Sequence, residues 1–204
     1  MRAKAIVSGD IDYQSEDVLG LARQLLGKTL VTSIDGKICG GIIAETEAYR
    51  APDDRACHAY GNKITPRTQT MFGRGGTAYI YLCYGIHHLF NVVTGPEGTA
   101  HAVLIRALIP QEGIEFMLER RKHKQLNYKL TRGPGALSVA LGIHTKMNGT
   151  HLLTSNSAIR ILNTGLHLST EDISQSPRIG VGYAGESALL RWRFYVKNCP
   201  WVSG

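Results

Sequence analysis

Between residues 16 and 26 the apolar positions Val18, Ala22, Leu25 and Leu26 recur at helical spacing. Ser15 stands before them as an N-cap, Glu16 and Asp17 fill a first turn and Gly27 follows, so the pattern predicts a helix over 16–26. The period then shortens. KTLVTSI (28–34) and KICGGIIAETEAY (37–49) read as strands around Asp35-Gly36, a strong hairpin turn. Residues 53–76 carry no period and hold Thr65-Pro66-Arg67 and Gly73-Arg74-Gly75-Gly76, which predicts a long functional or mobile loop. TAYIYLCY (77–84) and IHHLFNVV (86–93) are strands joined at Tyr84-Gly85, and HAVLIRALIP (101–110) is another, ended by Pro110. Residues 111–124 predict a helix with a basic end. A shorter helix follows Gly133-Pro134, carries Leu137, Ala140 and Leu141, and stops at Gly142. RIGVGYAG (178–185) and LRWRFYVK (190–197) are strand-like. Strands outnumber helices and several are joined by short turns, so the expected class is α+β with mainly antiparallel pairing. Without a repeat, low-complexity tract or linker, the expectation is one domain over 1–204.

Composition narrows the picture. A chain of 204 residues buries a core without metal or disulfide staples, and 43% hydrophobic content argues against disorder. No run of 18 apolar residues marks a membrane span. MRAKAIVSGDI has no signal-peptide core, so a cytoplasmic protein is expected. Cys39, Cys57, Cys83 and Cys199 form no C-x-x-C pair and read as reduced thiols. Neither His87-His88 nor Cys57-His58 has metal-ligand spacing, so no metal is expected. The net charge of +7 favours a polyanionic partner. With no coiled coil or large apolar patch legible, the expected state is a monomer.

Alternation in GGIIAETEAY places Ile43, Glu45, Glu47 and Tyr49 on one strand face. The bland reading is a strand end emerging into solvent; the functional one is a general base beside an aromatic wall. Neighbouring carboxylates on one face point in parallel, a poor geometry for flanking a scissile bond, so one working carboxylate is the better reading. Tyr79 and Tyr81 read as core residues. Tyr84, at a hairpin tip, is placed to wedge between base steps. Asn91 is polar within an apolar run, either as part of a structural network or as a reader of base edges. Arg106 interrupts VLIRALI and calls for a partner, with Glu45 or Glu47 the candidates. Arg120, Arg121, Lys122 and Lys124 read as a solvated helix face, and the turn Gly133-Pro134-Gly135 gives a weak phosphate-binding signal.

Several segments carry a resemblance: ETEAY (45–49), PDDRACH (52–58), TPRTQTMF (65–72), YIYLCYG (79–85), Asn91, VLIRAL (103–108), RIGVGYAGE (178–186) and RFYVKNCPWVS (193–203). Together, and in this order, they resemble the alkyladenine (3-methyladenine) DNA glycosylases in their bacterial form. The resemblance implies a curved antiparallel sheet with a DNA-inserting hairpin and peripheral helices, acting on duplex DNA with damaged purines and using no cofactor. It implies that Glu47 is the general base and that Arg106 helps hold the attacking water. Tyr49, His58 and Tyr81 would enclose the flipped base, and Asn91 would disfavour guanine. Tyr84 would fill the gap in the duplex, and Thr65, Arg67 and Met71 would contact DNA. Cys83 and His87-His88 are not signatures of the family. Two other readings are an architectural protein that bends DNA through Tyr84, and an RNA- or carbohydrate-directed hydrolase using Glu45 with Glu47.

Overall fold

The structure, a computed structural model, describes residues 11–204; the amino-terminal stretch read above for targeting signals lies almost wholly outside them. The first helix, α1 (Val18–Leu25), buries Val18, Leu21, Ala22 and Leu25. Its cap is Asp17, not Ser15. The Asp17 carboxylate reaches the N–H of Gly20 at 2.8 Å, whereas the Ser15 hydroxyl accepts from Asp17 outside the helix.

Strands β1 (Thr29–Ile34) and β2 (Lys37–Arg50) form the hairpin written in Asp35-Gly36, both with positive φ (52° and 71°), as a type I′ turn requires. β3 (Ala78–Cys83), β4 (His87–Thr94) and β5 (His101–Glu112) follow. β6 (Ile159–Leu162), β7 (Ile173–Ser176) and β8 (Arg193–Val196) are short. The sheet runs β3-β4-β5-β2-β1-β6, and all its named ladders are antiparallel. The long β2 lies at its heart. β5 covers one edge, while the other pairs first with β1 and then, at Glu45–Glu47, with β8, which in turn pairs β7.

Three expectations change. Pro110 does not end its strand, because β5 continues to Glu112. Pro110 sits opposite Gly41 at a register shift, where a missing N–H is tolerated. Gly41 has a matching reason to be glycine: a Cβ there would lie 2.3 Å from the Ile109 carbonyl oxygen. Helix α2 (Ile114–Arg121) is accordingly shorter than predicted, starting after Gly113 (φ 67°) and ending at Lys122 (φ 54°). RIGVGYAG is not a strand. Gly180 and Gly185 take positive φ, and the segment passes into 3-10 turns over Gly182–Leu189. Helix α3 (Pro134–Leu141) keeps its predicted bounds, with proline in the first turn and Gly142 left-handed after it.

The three helices pack on one side of the sheet, around Phe90, Ile105, Leu108, Met117, Leu137 and Leu141. Thr46 ties β2 to this layer through its hydroxyl, which donates to the Ala22 carbonyl of α1 at 2.8 Å. Arg120 of α2 is not part of a solvated face either, since its guanidinium donates to the Ala140 carbonyl at 3.1 Å. The other side of the sheet is free to carry polar groups.

Candidate active site

Register irregularities in the β2–β5 ladder build the site. Ala44 and Arg106 are extra residues between paired positions, Ile43 with Leu108, Glu45 with Ala107, and Thr46 with Ile105. Such bulges re-aim side chains. Ile43 therefore leaves the face it was expected to share with Glu45 and joins the helix-side core beside Ala48 and Ile105. Arg106 turns toward Glu45 and Glu47. Beyond the bulge, Arg193, Glu47, Leu104, Asn91 and Tyr79 form one cross-strand row, which places Glu47 and Asn91 on a common face.

Glu45 and Glu47 are fully buried, so the solvated strand end is excluded. Buried carboxylates need partners. Glu47 Oε2 accepts from the Tyr49 hydroxyl at 2.8 Å and Arg106 Nη1 at 3.2 Å, and its Oε1 accepts from the Ile179 N–H at 2.8 Å. Arg106 Nε also reaches Glu45 Oε1 at 3.0 Å, so Arg106 bridges both of its candidate partners. Burial disfavours the Arg106 charge, but Glu47 and Glu45 outweigh it and hold the pKa above its ordinary value. Burial, then the Glu47 charge, push the Tyr49 hydroxyl well above its usual range, which keeps it a hydrogen donor.

In front of this cluster lies a cavity of about 360 Å³. Tyr49, His58, Arg67, Met71, Tyr81, Tyr84, Asn91 and Arg106 all line it. Glu47 does not line it; Tyr49, Arg106 and Ile179, which hold Glu47, do. Thr65 is also outside the lining, held in a local turn by the Thr68 hydroxyl.

His58 and Tyr81 meet edge to face at 4.5 Å between ring centroids. His58 Nε2 takes the Arg67 guanidinium at 3.2 Å, which leaves Nδ1 to donate to the Tyr79 hydroxyl at 2.9 Å. Burial, then the Arg67 charge, push the His58 pKa down to about 4, so the ring is neutral at pH 7. Arg67 also stacks over Tyr81 at 4.8 Å. Asn91 Nδ2 donates to the Tyr79 and Leu89 carbonyls at 3.1 and 3.4 Å, fixing its side chain as part of the wall. Met71 is 1% exposed and its N–H is bonded to the Thr68 carbonyl. Its side chain packs inward as part of the cavity wall. Tyr84, 89% exposed, stands in the β3–β4 turn, flanked by exposed Leu82 and Ile86.

Several participants were not singled out from the sequence, although each lies in a segment that carries the resemblance. Arg178 and Asp54 form a buried bidentate pair (2.5 and 2.8 Å), which ties the 53–76 loop to the segment supplying the Ile179 N–H. Arg178 also stacks over Tyr49 at 4.8 Å. Tyr183, 71% exposed, lines the cavity mouth. Arg193 and Ser203 bond Glu45 from behind. All come from irregular or short segments, where charge and polarity follow no period.

The site is thus an aromatic-walled cavity with a partnered carboxylate behind it, a candidate active site. Comparison with known proteins gives this pocket a family: the methylpurine-DNA glycosylase (MPG) family model matches residues 12–200, and the chain belongs to that family. It is 50% identical over 187 residues to the "Putative 3-methyladenine DNA glycosylase" of Chlamydia felis, covering 89% of this chain and 92% of the relative. A protein of the same name from Bacillus cereus is 47% identical over 197 residues, covering 94% and 96%. The chain is a DNA N-glycosylase, a hydrolase of DNA repair. No helix among the described residues is long and apolar enough to cross a membrane.

Proposed function

We propose that this enzyme removes alkylated or deaminated purines, of the 3-methyladenine, hypoxanthine and ethenoadenine class, from duplex DNA by a water that Glu47 activates. The observation that carries the proposal is the placement of Glu47 behind the cavity, held by Tyr49, Arg106 and the Ile179 N–H. Tyr84 enters the duplex and fills the gap as the damaged nucleotide turns out, at a cost of a few kcal/mol that is least for weakly paired lesions. Tyr49, His58 and Tyr81 enclose the base, and the tyrosine faces favour electron-poor purines. Asn91, with its amide hydrogens used on two backbone carbonyls, does not move aside for an amino group at purine C2, so guanine is rejected. Thr65 and Arg67 contact the DNA in this proposal.

The water oxygen bonds to C1′ as the N-glycosidic bond breaks, and that bond's electron pair leaves with the base. Glu47 accepts the water proton. A cationic base departs neutral, whereas a neutral base departs as its anion and takes up a proton from solvent; the products are free base and an abasic site. No lysine stands among the described residues lining the cavity, which favours hydrolysis without strand cleavage. The enzyme works as a monomer in this proposal.

The test is single-turnover base release from duplexes carrying hypoxanthine, 1,N6-ethenoadenine or 3-methyladenine, each with and without alkali. Wild-type protein is expected to release base and to give strand breaks only after alkali. Glu47→Gln is expected to slow release by at least about 100-fold while still binding the lesion duplex. No release by the wild-type protein, or undiminished release by Glu47→Gln, defeats the proposal.

A further inference from the structure

Glu45 has no role in the reaction above, yet it is the most heavily partnered carboxylate near the site. Its Oε1 accepts from Arg106 Nε (3.0 Å) and Arg193 Nε (2.6 Å); its Oε2 accepts from the Ser203 N–H at 2.7 Å. The Ser203 hydroxyl lies 2.8 and 2.7 Å from the two carboxylate oxygens. Having one hydrogen, it donates to one of them and accepts from Arg106 Nη2 at 3.2 Å. Arg193 also donates to the Ser203 carbonyl, and Arg193 Nη1 to the Ser176 hydroxyl at 3.2 Å.

The consequence falls on Arg106. Its Nε is fixed by Glu45 and its Nη2 by Ser203, which aims Nη1 at Glu47 Oε2. Two carboxylates and two guanidinium groups balance in charge within this buried cluster. Arg106 is the only one of the four that also lines the cavity. Glu45 and Ser203 are not themselves among the residues that line the cavity, and reach it through Arg106.

We propose that Glu45 and Ser203 are positioning residues for base excision: acting through Arg106, they set the orientation of Glu47 toward the base-binding cavity. This rests on the proposed role of Glu47 as general base. Loss of the Ser203 hydroxyl frees one edge of the guanidinium and removes one donor from Glu45. The nucleotide pocket, built from Tyr49, His58, Tyr81 and Asn91, is left intact. The effect therefore belongs to the rate of the chemical step and not to capture of the lesion.

Glu45→Gln leaves two buried guanidinium groups facing one carboxylate and is expected to impair folding, so Ser203→Ala carries the test. Single-turnover excision at saturating enzyme, lesion-duplex Kd and thermal midpoint are measured for the wild type, Ser203→Ala and Ser203→Thr. The expected result is roughly tenfold slower excision for Ser203→Ala, the size of one hydrogen bond to a charged group, with Kd within about twofold. Ser203→Thr, which keeps the hydroxyl, is expected to recover the wild-type rate. Unchanged excision by Ser203→Ala overturns the inference. So does a parallel fall in rate, affinity and thermal midpoint, which marks a purely structural contact, or a Ser203→Thr rate as low as that of Ser203→Ala. A wild-type enzyme that releases no base defeats the proposed reaction itself, a result read before any variant is compared.

Discussion

His58 shows how one residue's surroundings set its chemistry. With Arg67 on one nitrogen and the Tyr79 hydroxyl on the other, the ring has no carboxylate partner among the described residues to stabilise a charge. Its folded pKa, about 4, lies below the ordinary value of 6.5. A depressed histidine means that the unfolded chain takes up a proton first as pH falls. The stability associated with neutral His58 is therefore complete above 6.5 and is lost progressively toward pH 4, by roughly 3 kcal/mol in all. His101 is depressed in the same direction by burial, so the comparison must be with a variant. Denaturant unfolding at about pH 7.5 and about pH 4.5 is expected to show a larger acid loss for the wild type than for His58→Gln, by roughly 2 kcal/mol. Equal losses would show that His58 titrates normally in the folded protein.

The β3–β4 hairpin is the element that presents Tyr84. Its turn needs positive φ at both Tyr84 (49°) and Gly85 (73°), closed by the Ile86 N–H to the Cys83 carbonyl at 3.1 Å. Glycine suits Gly85, but a tyrosine in this conformation costs about 1 kcal/mol or more, and the side chain is left in water. Local energetics give no reason for a tyrosine here; the proposed insertion into DNA would supply one. Tyr84→Gly is expected to leave the thermal midpoint unchanged or raise it, while weakening lesion-duplex binding and slowing single-turnover excision. The measurements are a thermal melt alongside duplex titration. Full affinity and rate in Tyr84→Gly would remove the wedge from the mechanism.

At the scale of the whole molecule, the excess of 23 lysines and arginines over 16 acidic residues acts on the approach to DNA. Many of the arginines at the site are already paired: Arg106, Arg178 and Arg193 with buried carboxylates. Affinity for undamaged duplex thus depends on the remaining surface charges and is expected to fall at least tenfold between about 50 and about 200 mM salt. Excision by a preformed, saturated complex is expected to change little, because the paired charges are screened from solvent. Fluorescence anisotropy and single-turnover rates across the same salt series check both halves. A flat binding curve would rule out electrostatic search.

Features with local causes were legible in the sequence. Asp35-Gly36 turns a hairpin because two successive residues accept positive φ there. Proline and Gly142 bound α3 because one suits a helix start and the other a left-handed exit. Strand alternation alone places Glu45, Glu47 and Tyr49 on one face. The residues expected to enclose a base, Tyr49, His58, Tyr81 and Asn91, do meet at one cavity, although only resemblance, not periodicity, had linked them. Tertiary structure decided the rest. Whether the glutamates faced water or the interior depended on Arg193 and Ser203, 148 and 158 residues from Glu45 along the chain. Whether the 53–76 loop closed on the site depended on Asp54 meeting Arg178, 124 residues away. The passage of β5 through Pro110, and the loss of Ile43 from the glutamate face, depended on bulges in the β2–β5 ladder. A turn or cap is set by the dihedral preferences of adjacent residues, so sequence specifies it. A buried ion pair is set by which charges a folded sheet brings within hydrogen-bond reach, and no spacing along the chain encodes that.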